Sequence, residues 1–126
     1  MERAVEIFVL VQFTVIGLSH VLAPRAWVRF YLVLRDQGEP GVFAMAFLTL
    51  GFGAIIVAFH NVWSGLPAVV TVIGWAQVFK GALYFIFPSV GLKMFGRVSP
   101  DRAREFVYGG VFSLALAAFL GWLWLR

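Results

Sequence analysis

Cysteine is absent from the chain. That excludes structural disulfides, thiol redox chemistry and cysteine-ligated metals, and it leaves the redox compartment unread. Charge is scarce as well. Only 13% of residues are Asp, Glu, Lys or Arg, and only two are His. No HExxH pattern, carboxylate pair or phosphate-cradling glycine loop occurs, and two histidines alone make a poor metal set. No metal and no cofactor is therefore expected. What fills the chain instead is apolar: 62% of its 126 residues, where soluble domains run nearer ~45–50%. A soluble fold of this size leaves too much of its surface in water to hide that fraction. Composition thus excludes a soluble globular enzyme, a disordered tail and a fibrous protein. It points to a polytopic membrane protein.

Four apolar runs are long enough to cross a bilayer, which takes ~20 residues of helix. The first spans about Ala4 to Ala23 and stops at Pro24. The second spans about Val42 to Phe59, the third about Leu66 to Phe87, stopping at Pro88, and the fourth about Phe106 to Leu125. The first run has no small-x-small cleavage site and no soluble region after it, so a retained span is expected and not a removed signal. The expected fold is an all-α bundle of four transmembrane helices forming one domain over residues 1–126.

The connections differ in kind. His60-Asn61-Val62-Trp63-Ser64-Gly65 is short and demands a tight antiparallel hairpin between spans 2 and 3. Pro24–Gly41 sets Arg25, Arg29 and Arg35 among Trp27, Phe30, Tyr31, Leu32 and Leu34. That mixture suits a short helix in the headgroup layer, aromatics at the interface and arginines toward anionic phosphate. Asp36-Gln37-Gly38-Glu39-Pro40-Gly41 then breaks it. Lys93 and Arg97 follow Pro88 as Arg25 and Arg29 follow Pro24. Ser99-Pro100-Asp101 reads as a helix start, with Ser as N-cap.

An offset of 64 places Gly17 on Gly81, Pro24 on Pro88 and Arg29 on Lys93. The chain therefore reads as two copies of one unit, about 4–60 and 66–125. Two spans per unit give both copies the same orientation and a pseudo-two-fold axis along the membrane normal. Seven basic residues (Arg25, Arg29, Arg35, Lys93, Arg97, Arg102 and Arg104) lie on one side, against Arg3 and Arg126 on the other. That bias places the first and third connections in the cytoplasm and both termini outside. The net charge of +4 then reads as orientation and anionic-lipid contact. The basic residues are scattered over two interfacial pieces, so no nucleic-acid partner is expected.

Lys80 is the most unusual residue of the spans. An ammonium in hydrocarbon costs ~2.5–3.5 kcal/mol on insertion scales. It must either snorkel to phosphate, water or a carbonyl, or turn into the bundle toward Gln77, Tyr84, His20 or an anion. Gln77, Lys80 and Tyr84 fall on one face of span 3. In span 1, Glu6 and His20 share a face but stand ~21 Å apart along the axis. Glu6 sits near the outer interface, where a carboxylate is tolerated. His20 reaches Lys80 or Tyr84 if spans 1 and 3 pack together; otherwise it satisfies a local backbone or lipid hydrogen bond. His60 and Asn61 end span 2 beside Trp63 and Trp75, as a polar helix terminus with an interfacial tryptophan belt or as the rim of an outward pocket. Ser113, Ala117 and Gly121 recur every four residues on span 4, and Thr49 and Gly53 share span 2, which suits close helix packing.

The string His60-Asn61-Val62-Trp63, Val70-Thr71, Gly74-Trp75, Lys80-Gly81 and Pro88 resembles a family of uncharacterised bacterial four-span integral membrane proteins with the pattern H-N-x-W, T-x-x-G-W, K-G and P. About 30 residues carry the likeness. Each half also resembles the small two-span bacterial proteins of the YjeT type. The resemblance implies a bacterial inner membrane and draws attention to His60, Asn61, Trp63, Thr71, Trp75 and Lys80. It implies no activity.

Three functional classes follow. The first is a non-enzymatic accessory or scaffold that packs with itself or with a larger membrane protein. The second is a small oligomeric transporter or channel lined by Gln77, Lys80 and Tyr84. The motifs of four-span small multidrug exporters and fluoride channels are absent, and span 1 has no mid-membrane Glu. The third, a lipid-directed enzyme with His60 as base, lacks an acid or nucleophile partner near His60. The first class is the expectation.

Overall fold

The computed structural model describes residues 2–125 and is an all-α membrane bundle. In hydrocarbon the backbone must satisfy its own hydrogen bonds, and a helix does so within one segment. Four long helices meet that demand: α1 (Glu2–Leu22), α3 (Glu39–Phe59), α4 (Ala68–Ile86) and α6 (Ala103–Leu125). Each is long and apolar enough to span. Two short helices, α2 (Pro24–Asp36) and α5 (Pro88–Phe95), lie between them.

Proline sets the breaks. It offers no N–H and disfavours helical backbone in the residue before it. Ala23 (φ −132°, ψ 52°) and Phe87 (φ −128°, ψ 74°) leave the helical region, and Pro24 and Pro88 open the next helix. The break after α2 is shorter than Asp36–Gly41. It is confined to Gln37 and Gly38, whose φ of 69° suits glycine, and α3 begins at Glu39 with Pro40 in its first turn. Ser99 takes the N-cap position ahead of a 3₁₀ turn, Pro100–Arg102, but its side chain makes no capping bond. Instead its backbone carbonyl accepts from the Arg102 N–H at 3.0 Å.

The long helices form two tight pairs, α3 with α4 and α1 with α6. Glycine permits the closest approaches. A Cβ on Gly110 would stand 2.7 Å from the carbonyl oxygen of Gly17, and one on Gly53 would stand 2.8 Å from that of Gly74. The small-residue stripe of α6 takes part through Ser113, whose Cβ would stand 3.2 Å from one on Gly17, and through Ala117. Ala117 is buried, whereas a Cβ on Gly121 would touch no more than Leu10, at 3.9 Å. Two apolar clusters fill the bundle, the first joining the two pairs and the second seating α2 and α5 on the α3–α4 pair. Val5, Val9, Ile56, Val70 and Leu120 form one at the His60 end. Leu34, Val42, Ala46, Tyr84 and Phe95 form the other, where α2 and α5 close the opposite end. The outer faces carry Phe47, Phe79, Val111 and Phe112, as lipid contact requires.

Candidate functional site: a buried histidine joint

His60 is the first residue beyond α3, and it is completely buried. Its Nδ1 lies 3.0 Å from the Thr71 hydroxyl on α4, and its Nε2 lies 3.0 Å from Glu6 Oε1 on α1. Thr71 is buried too. Its Oγ1 accepts from the Val62 N–H at 3.0 Å and lies 2.7 Å from the Val62 carbonyl oxygen. One hydroxyl thus holds the start of the hairpin loop against α4. Next in the chain, the side-chain carbonyl of Asn61 accepts the indole N–H of Trp63 at 3.0 Å and that of Trp75 at 3.2 Å. The structure therefore gathers His60, Asn61, Trp63, Thr71 and Trp75 at one end of the bundle.

Glu6 is the member that sequence reasoning left out. The expectation that His60 has no acid nearby is corrected by this carboxylate, which comes from 54 residues away. An enzymatic reading gains nothing from it. Both ring nitrogens are engaged and the ring is sealed, so His60 meets no substrate in this arrangement. Glu6 itself is about one-quarter exposed (26%) and lines a cavity of about 460 Å³ with Arg3, Leu66, Pro67, Leu120 and Trp124. Arg3 donates to the Trp124 carbonyl at 3.1 Å, and its guanidinium lies 5.5 Å from the centre of that indole.

The polar face of α4 divides between two further cavities. Gln77 faces a small one, about 50 Å³, with Gln12, Phe13, Ile16 and Phe52. Its Oε1 is buried with no hydrogen-bond partner. Lys80 and Tyr84 line another, about 190 Å³, with Tyr31, Met94, Phe95 and Phe106. The Lys80 ammonium lies 5.7 Å from the centre of the Tyr84 ring, within range of a cation–π contact. Tyr84 is buried, and its phenol neighbours that of Tyr31 on α2. Burial first, and Tyr84 second, push the Tyr31 hydroxyl above its ordinary pKa.

His20 joins neither group. Because α1 pairs with α6 and not with α4, its ring stacks on Trp27 (4.1 Å between centroids) and on Phe106 (5.6 Å). Its Nδ1 lies 2.8 Å from the Ile16 carbonyl oxygen. Spans 1 and 3 do not pack together, so the alternative neighbourhood with Lys80 or Tyr84 does not form. The local backbone contact is the one present, beside an aromatic stack in which Trp27 is held by its bond to Ser19. Arg25, Arg29, Arg35, Lys93 and Arg97 are all exposed.

Comparison with known protein families, with curated proteins and with solved structures gives no match.

Proposed function

We propose that this small multi-pass membrane protein is a non-enzymatic accessory or scaffold, packing with itself or with a larger membrane protein. The observation that carries this reading is the use made of His60. The side chain best suited to chemistry is fully buried, and both its nitrogens are spent on fastening a loop and two helix pairs together. Its neighbours are a joint, not a reaction centre. The test is extraction in mild detergent, with the mass of the recovered particle measured by light scattering. A defined oligomer or a stoichiometric complex is expected, and a bare monomer that recruits no partner when returned to native membranes overturns the reading.

A specific observation favours a second reading, a small oligomeric transporter or channel. Polar groups line cavities at three levels along α4: Glu6 with Arg3, Gln77 with Gln12, and Lys80 with Tyr84 and Tyr31. Lys80→Met decides between the readings, since it keeps the apolar stem and removes the charge. Under the scaffold reading the variant folds with unchanged or slightly higher stability and keeps its partner. Under the transport reading it assembles but loses flux in a liposome assay. Wild-type protein that moves no ion or solute in the same liposomes ends the transport reading.

We also propose the two-repeat organisation. Pro24 and Pro88 open equivalent helices after residues of matching backbone geometry. Tyr31 and Phe95, related by the offset of 64, meet each other at 5.4 Å, as groups beside a two-fold axis must. Exchanging the halves turns the α1–α6 pair into the α4–α3 pair. The exposed arginines and lysine support cytoplasmic placement of α2 and α5 against anionic lipid. The bacterial inner membrane and the four-span family stay proposals, carried by the H-N-x-W and T-x-x-G-W residues that the fold brings together.

A further inference from the structure

Counting protons around His60 leads beyond a joint. Thr71 Oγ1 has one proton and four polar neighbours. Two are carbonyl oxygens, of Val62 at 2.7 Å and of His60 at 3.3 Å. The others are the Val62 N–H at 3.0 Å and His60 Nδ1 at 3.0 Å. An oxygen–oxygen separation of 2.7 Å is that of a hydrogen bond and is repulsive without one. The hydroxyl proton therefore goes to the Val62 carbonyl. The lone pairs of Oγ1 accept from Val62 N–H and from Nδ1, so Nδ1 carries a hydrogen.

That fixes the other side of the ring. A neutral imidazole protonated at Nδ1 has only a lone pair at Nε2. Nε2 faces Glu6 Oε1 at 3.0 Å, and a carboxylate oxygen is also an acceptor. With the ring fully buried, Nε2 has no water to turn to, and two acceptors at that distance need a proton between them. It is counted equally well on either partner, as imidazolium with carboxylate or as imidazole with carboxylic acid. Both forms hold one proton more than a neutral histidine beside a carboxylate, and moving it along the bond changes no total.

We infer that Glu6 and His60 form a one-proton binding site, loaded from the cavity at the His60 end. Access is one-sided, since Glu6 is partly exposed to that cavity while His60 is sealed. Among the described residues, the groups around the pair are few. Arg3 on α1 shares the cavity, Thr71 faces the ring from α4, and α6 contributes Trp124. The site also ties α1 to the end of α3. Losing the proton sets two acceptors against each other across that tie, so proton binding and closure of this end are linked.

The test uses the full chain in lipid nanodiscs. ¹⁵N NMR of histidine-labelled protein is expected to give a protonated Nδ1 for His60, with Nε2 protonated or in a strong hydrogen bond. Glu6→Gln supplies an amide N–H that fills Nε2 without the extra proton. By the proton count, the proposed site holds in the folded state one proton more than a neutral histidine and a separate carboxylate do. The unfolded state then binds fewer protons, so stability falls as pH rises. Wild type is expected to lose stability between neutral and alkaline buffer by more than Glu6→Gln does, a comparison that cancels contributions shared by both, such as Tyr31. Equal losses overturn the proposal. So does a neutral His60 with its hydrogen on Nε2 alone, a result that stands even if Glu6→Gln does not fold.

Discussion

Gln77 shows what a single buried atom implies. Its Oε1 is unpartnered inside the bundle, beside Gln12 in a cavity of about 50 Å³. A buried acceptor left unsatisfied costs roughly 1–3 kcal/mol. Replacing Gln77 by Met keeps the length of the side chain and removes that acceptor. Under the scaffold reading the variant should be more stable by about 1 kcal/mol, read as a higher denaturant midpoint for loss of helicity in micelles. Equal or lower stability would mean that the amide is satisfied and used. At this scale the sequence was half legible. His60, Asn61, Trp63 and Trp75 stood out as a polar helix end beside interfacial tryptophans, and Thr71 only through the family pattern that the string resembles. Glu6 did not, because nothing local marks a carboxylate whose partner is 54 residues away on another helix.

At the scale of elements, the spans could be read directly, since apolar length and proline placement are local properties. Which helix lies against which is not local. The stripe at Ser113, Ala117 and Gly121 indicated a packed face on α6, but the tightest approach falls at Gly110, opposite Gly17 on α1. That pairing also decided the fate of His20, which faces Phe106 of α6. Gly109 and Gly110 give a paired test. A Cβ on Gly109 meets nothing within 4 Å, so Gly109→Ala should stabilise α6 by up to about 1 kcal/mol through helix propensity. A Cβ on Gly110 would press on the Gly17 backbone oxygen at 2.7 Å and on Val21 and His20 at 2.8 Å. Gly110→Ala should therefore cost about 1–3 kcal/mol as overpacking. Opposite shifts of the denaturation midpoint are expected; equal shifts would place the α1–α6 contact elsewhere.

For the whole molecule, the two ends of the bundle are chemically unlike. One gathers His60, Glu6, Thr71, Trp63 and Trp75 around a tight hairpin. The other closes with α2 and α5 and exposes Arg25, Arg29, Arg35, Lys93 and Arg97. Arg126, one of the two basic residues counted on the His60 side, lies outside the described residues. Without it the bias still stands at seven against Arg3, and basic residues near span ends set orientation. The basic end should face the cytoplasm, with Glu2, His60 and Leu125 all outside. Single cysteines are clean reporters here, because the chain has none of its own. Exposed Ser64 in the hairpin and exposed Gln37 after α2 are suitable sites, since neither belongs to a hydrogen-bonded side-chain cluster. In intact cells a membrane-impermeant maleimide should label Ser64→Cys and spare Gln37→Cys. In inverted vesicles the pattern should reverse. Labelling of Gln37→Cys in intact cells would turn the molecule over, and the cavity beside Glu6 would then draw its protons from the cytoplasm.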